Sequence, residues 1–183
     1  MKKNIQRPAF KLALCAVIAA LEVLLMMASG LFRIGTYALP CFAGMLSVAI
    51  VIEYNCKWAF GVYAVSAILS FFLTADKEAA LLFILFFGYY PILKNILDRH
   101  VKSVVLSYII KFALFNAAAV GSFFAATYLF MIPAEEFTLF GVYVPFVFLL
   151  LGNVFFFIYD IAVNVFVKLY VQRLRKALFG RFH

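Results

Sequence analysis

Charge is what this sequence has least of. Asp, Glu, Lys and Arg make up 13% of its 183 residues, about half of the roughly 25% found in ordinary soluble domains. Hydrophobic residues make up 68%, with 24 Phe among them, more apolar surface than a soluble fold of this length can hide. Histidine is nearly missing: His100 and His183 are the only two. That removes a His-x-x-x-His zinc helix, a paired intramembrane histidine site and a Ser–His couple. A glycine-rich phosphate loop is also lacking. The three cysteines, Cys15, Cys41 and Cys56, have no metal-ligand spacing and read as small apolar fillers. A carboxylate pair from Glu22 and Asp160 would lie at two different depths. These absences point away from an enzyme and imply no cofactor or metal.

Long apolar runs are abundant instead. Six of them, at 10–32, 37–54, 57–75, 78–97, 103–132 and 139–168, are close to the about 20 residues that span a bilayer as a helix. They are apolar on all faces, whereas barrel strands alternate. The expected fold is a single all-α domain over 1–183: a compact bundle of six transmembrane helices. Short connections make consecutive helices antiparallel neighbours. Pro40 and Pro133 mark helix edges at the two longest connections, 32–40 and 131–143.

The net charge of +8 invites a nucleic-acid reading, but its distribution argues against one. Lys2, Lys3, Arg7 and Lys11 precede the first span, and Lys57 separates the second and third. Lys94, Arg99 and Lys102 flank the next such loop, and Lys168, Arg173, Arg175, Lys176 and Arg181 follow the sixth span. The alternate loops hold only Arg33 and Lys77. Cytoplasmic loops carry the Lys/Arg excess, so both termini are expected in the cytoplasm of a bacterial plasma-membrane protein. The C-terminal basic cluster then touches anionic headgroups. The first apolar run is too long for a signal-peptide core, and Leu before Cys15 does not suit a lipoprotein cleavage site.

Small residues and a few polar groups stand out within the runs. Ala9, Ala13, Ala16 and Ala20 form one stripe of the first helix, and Ala117, Gly121 and Ala125 one stripe of the fifth. Such stripes let helices approach closely in lipid; the fifth is expected to pack within the chain, the first to pack there or against another subunit. Charges at depth cost roughly 2.5–3.5 kcal/mol each and mark function by default. Glu22 falls near the midplane of the first span. Lys111 and Asp160 both fall about 12 Å from the inner boundary on consecutive helices, and are expected to form an ion pair. Asn153, Asp160 and Asn164 share one face of the sixth helix, with Asn116 of the fifth at the depth of Asn153. That seam predicts interhelical hydrogen bonds or a cavity at its outer end. Gly88–Lys94, in "LLFILFFGYYPILKNILDRH" (81–100), reads mainly as a membrane exit, with Tyr89 and Tyr90 in an inner aromatic belt, Pro91 kinking or breaking the helix and Lys94 reaching the headgroups; the alternative is a kinked inner segment that touches a cytoplasmic or scaffold partner.

With "AFKLALCAVIAALEVLL" (9–25), "YALPCFAGMLSVAIVIE" (37–53) and "WAFGVYAVSAILSFFL" (58–73), the whole chain resembles in layout the substrate-binding S component of an energy-coupling factor (ECF) transporter. The resemblance implies capture of a vitamin-like small organic solute in a pocket formed by the outer halves of the later helices. It implies as partners a transmembrane scaffold subunit and a cytoplasmic ATPase pair, with Ala9, Ala13, Ala16 and Ala20 as the docking stripe. Metal-binding members carry an N-terminal histidine, which "MKKNIQRPAF" lacks. Glu22 departs from the pattern. The substrate-facing candidates, chosen by depth, are Arg33, Tyr37, Asp76, Glu78, Asn116, Tyr128 and Asn153, with Lys77, Glu135, Glu136 and Tyr143 nearby. Two other readings stay open: a structural or regulatory partner of another membrane complex, and a stand-alone proton-coupled transporter using Lys111 and Asp160. A pocket at the outer ends of helices 4–6 separates the first reading from the structural one.

Overall fold

The computed structural model describes residues 8–31, 35–129, 138–139, 142–143 and 145–175. Among them are six helical stretches long and apolar enough to cross a membrane. The first is α1, Pro8–Ala28, extended by a 3-10 turn at Ser29–Leu31; α2 is Gly35–Glu53 and α3 is Cys56–Leu73. The fourth stretch is composite: α4 (Lys77–Leu82), a π-helical turn (Phe83–Phe87), then α5 (Tyr90–His100). The fifth is α6, Val104–Leu129, and the sixth is α7, Pro145–Leu169, continued by a π-helical turn at Tyr170–Leu174. Between α6 and α7, β1 (Thr138–Leu139) and β2 (Val142–Tyr143) pair antiparallel. The sixth helix thus starts six residues later than its apolar run, at Pro145, whose missing N–H and fixed φ suit the first helical position.

Local chemistry sets the other starts. Asn55 caps α3 by accepting from the Trp58 amide at 3.1 Å, and Asp76 caps α4 by accepting from Ala79 at 3.0 Å. The break in the fourth stretch has a visible cause. The π turn frees a carbonyl, and the Tyr63 hydroxyl of α3 donates to Ile84 O at 2.6 Å. Pro91 then sits in the first turn of α5, where its missing donor does no harm.

Polarity is distributed inside out. Leu12, Leu24, Ile68, Phe72, Val105 and Leu150 are each at least 60% exposed, whereas Glu22, Lys94, Lys111 and Asp160 are at most 4% exposed. That arrangement suits lipid rather than water around the bundle. α2 and the fourth stretch occupy the centre, with the other spans around them. Lipid tails are as apolar as Leu, so close packing holds such helices together. Gly44 shows it: a methyl there would overlap the Phe87 carbonyl and come within 3.3 Å of the Tyr159 hydroxyl.

The two small-residue stripes behave differently from packing seams. Ala9, Ala13, Ala16 and Ala20 are all exposed, while Cys15, Ile18, Ala19 and Glu22 turn inward. On α6, Ala117 is exposed and a Cβ on Gly121 would meet nothing within 4 Å. The fifth-span stripe therefore does not make the close helix contact expected of it within the chain.

Candidate functional site

At the end of the bundle opposite the termini, α2 and α4 start side by side. Thr36 donates to the Asp76 carboxylate at 2.7 Å, and Tyr37 donates to Glu78 at 2.8 Å. From this rim α4, α6 and α7 part to leave a cavity of about 690 Å³, within the roughly 300–1,000 Å³ of small-molecule sites, that opens sideways past the exposed Val120, Phe124 and Leu151. Its walls are apolar, from Leu81 and Leu82 on α4, Ala118, Ala119 and Phe123 on α6, and Leu149 on α7. Tyr37, Glu78 and Ser122 are the polar lining residues. Phe86, Phe87 and Phe115 close the bottom. Eight helical residues separate Glu78 from Phe86, about 12 Å of depth at 1.5 Å per residue.

The floor is a stacked aromatic layer. Phe115 lies parallel to Phe156 at 5.0 Å, and Phe86 meets Phe115 edge-on at 5.2 Å. Gly152 leaves room for this layer, since a Cβ there would stand 3.3 Å from the Phe115 ring. Beside the floor, Asn116 and Asn153 exchange amide hydrogen bonds at 2.9 and 3.0 Å. Each gives its second amide proton to the carbonyl one turn earlier, Phe112 O and Leu149 O, both at 2.8 Å. Both amide groups are satisfied by this clasp.

Beneath the floor lies a buried ion cluster. Phe86 stacks on Tyr90 at 4.8 Å, and the Tyr90 hydroxyl donates to Asp160. Lys94 pairs with the same carboxylate and lies 3.8 Å from Asp98. Lys111 bonds Asp98 at 2.7 Å and stands 3.9 Å from Asp160. Two lysines face two aspartates, so the cluster is neutral overall. It joins α5, α6 and α7, as buried intramembrane charges must be joined. A single run of residues four apart on α5 (Tyr90, Lys94, Asp98) carries three of its members.

Comparison with protein-family models, with curated proteins and with solved structures returned no match. The site therefore stands on its own geometry.

Of the residues expected to face a substrate, Tyr37 and Glu78 line the cavity. Asp76 is committed to Thr36 and the α4 cap. Asn116 and Asn153 bond each other beside the floor. Tyr128 is 74% exposed and stacks on Phe124 at 6.0 Å. Arg33, Glu135 and Glu136 lie outside the described residues. Lys111 and Asp160 do approach, but the first partner of Asp160 is Lys94. Tyr90 and Lys94, expected at the membrane surface, are 0% and 4% exposed. The reason is length: the helix runs on to His100, so Lys94 sits six residues inside its end. Asn164 is exposed, so the inward polar face of α7 stops at Asp160. Glu22 is wholly buried, with Ser47 donating to one oxygen at 2.7 Å and no partner on the other. Among the described residues, no group of three or more His, Cys, Asp or Glu could hold a metal ion.

Proposed function

We propose that the chain is the substrate-binding membrane subunit of an ECF-type importer, capturing a small organic solute from outside the plasma membrane. The observation that carries this reading is the cavity between the ends of α4, α6 and α7, at the ends that the charge pattern assigns to the outside. A structural partner protein would have those ends packed shut. The exposed Ala9–Ala13–Ala16–Ala20 face of α1 supports docking on a scaffold subunit, which an ATPase pair would drive from the cytoplasm. The fourth span runs from the cavity rim, through its floor, to the ion cluster. A solute pressing on Phe86 therefore bears on Tyr90 and Asp160, on the side where partners would act.

Purification from native membranes under mild conditions tests this. Recovery of a scaffold, an ATPase pair and a bound small molecule is expected. Recovery of the chain alone and without a solute would refute the reading. Import that needs no ATPase and stops on Asp160→Asn would instead favour the proton-coupled transporter.

A further inference from the structure

Among the described residues three carboxylates are buried: Glu22, Glu53 and Asp160. Two of them have a cation. Lys94 pairs with Asp160, and Arg175 stands 2.9 Å from Glu53. Glu22, inside α1 and 0% exposed, has no ion-pair partner among the described residues. An isolated charge in such a place is costly, and a buried acid without a counter-ion is kept neutral by a proton. The neighbours fit the neutral acid. Ser47 of α2 donates to Oε1 at 2.7 Å. Ser66 faces the carboxyl from α3, yet Glu22 Oε2 and Ser66 Oγ both lack a partner among the described residues. A protonated carboxyl carries one O–H donor. A proton on Oε2, donated to Ser66 Oγ, gives both atoms a partner at once. A serine proton donated the other way would bond an ionised oxygen but leave its charge unbalanced. Among the described residues, the titratable side chain that bears on Glu22 from another helix is Tyr159 of α7. It is a phenol that donates to Cys41 O at 3.5 Å and brings no positive charge.

The surroundings differ on the two sides of this carboxyl. Towards the termini α1, α2 and α3 pack through apolar residues, among them Ile18, Ala19, Ile50, Ala59 and Val62. Towards the opposite end, amid Met26, Ala43 and Ala67, α3 carries Ser70 and its cap residue Thr74. These stand four and eight residues beyond Ser66, on the same face. Both are at most 1% exposed, and neither hydroxyl oxygen has a partner among the described residues. Helix serines and threonines commonly bond the carbonyl one turn back; these three hydroxyls do not. Each can donate and accept. The stripe therefore offers a proton polar stations at intervals of about 6 Å, and the apolar side offers none.

We propose that Glu22 is a proton-binding site: a neutral carboxylic acid that donates to Ser66 and exchanges its proton with the end of the bundle opposite the termini, along Ser66, Ser70 and Thr74. Nothing in this depends on the cavity or on a solute. The test uses the full chain in zwitterionic-lipid nanodiscs and reads the carboxylic-acid C=O stretch by infrared spectroscopy. At neutral pH the unmodified chain should show this band. Glu22→Gln, which keeps the shape and can still donate to Ser66, should lose it. Ser66→Ala should move the band to higher frequency, because the acid loses its acceptor. In heavy water the band should shift as the proton exchanges. Ser70→Ala with Thr74→Val should slow that shift several-fold, whereas Ser122→Ala, which removes an unpartnered hydroxyl from another helix, should not. Absence of the band at neutral pH, or its survival in Glu22→Gln, overturns the site. An unmoved band in Ser66→Ala overturns the bond to Ser66. Exchange at the unmodified rate in the double variant, or in both single variants should the double fail to fold, overturns the route.

Discussion

Replacing Asp160 with Asn should unlock the bundle around the fourth span, and the size of the effect follows from its partners. The Asp160 side chain is 1% exposed and holds both Tyr90 and Lys94, with Lys111 at 3.9 Å. Asn keeps the shape but loses the charge. Lys94, 6% exposed at its side chain, then retains only Asp98 at 3.8 Å, and a buried ammonium is left under-compensated. Removing one partner of a buried pair costs about 3–5 kcal/mol. At about 2–4 °C per kcal/mol for a chain of this size, the melting temperature in nanodiscs should fall by roughly 6–20 °C. The discriminating measurement is the second substitution. Lys94→Met added to Asp160→Asn removes the stranded charge along with its former partner. Because well-packed apolar replacements of buried pairs are often neutral, the double variant should recover much of the loss. Asp98→Asn alone should cost less than Asp160→Asn, since its own side chain is 47% exposed, but more than an exposed pair, because it leaves Lys111, 4% exposed at its side chain, with only Asp160 at 3.9 Å. A double variant less stable than Asp160→Asn, or an Asp160→Asn that melts with the unmodified chain, would show that the cluster is not electrostatically coupled as described.

Three further outcomes are expected. Gly44→Ala should destabilise by about 1–3 kcal/mol through overpacking against the Phe87 carbonyl, while Gly121→Ala, with open space around it, should be neutral or gain up to about 1 kcal/mol in helix propensity; thermal melts of both check the contrast. Asn116→Ala strands Asn153 and should cost about 1–3 kcal/mol, partly restored by Asn153→Ala in the same chain, as a double-mutant cycle would reveal. Ala13→Leu with Ala16→Leu changes an exposed face and should leave the stability unchanged to within about 0.5 kcal/mol, read by thermal melts, while abolishing co-purification of the proposed scaffold; unchanged co-purification would remove α1 as the docking face.

The spans were legible because lipid leaves a coarse signature: runs of about twenty apolar residues cannot be much else. Depth counting also brought Lys111 towards Asp160, since both positions follow from rise per residue alone. It failed at Lys94, because the helix end was set at the last apolar residue while the hydrogen-bonded helix continues to His100. The spacing Tyr90–Lys94–Asp98 was the available signal, three polar groups stacked on one side of an apolar helix. The cavity walls were not legible at all. Phe86, Phe115 and Phe123 face the cavity, Phe72 is 73% exposed on the bundle surface, and nothing in a string of phenylalanines separates the two. Only the parting of α6 from α7 does, and that depends on tertiary packing rather than on local propensity.

The asparagine clasp also acts as a ruler. It fastens α6 to α7 at one height, and the aromatic layer beside it fixes how far any occupant can descend. On the proposed reading, a longer solute would project past Glu78 rather than sink further. Differences in solute size would then be written in the aromatic layer beside that amide pair, and differences in solute charge at the residues of the mouth.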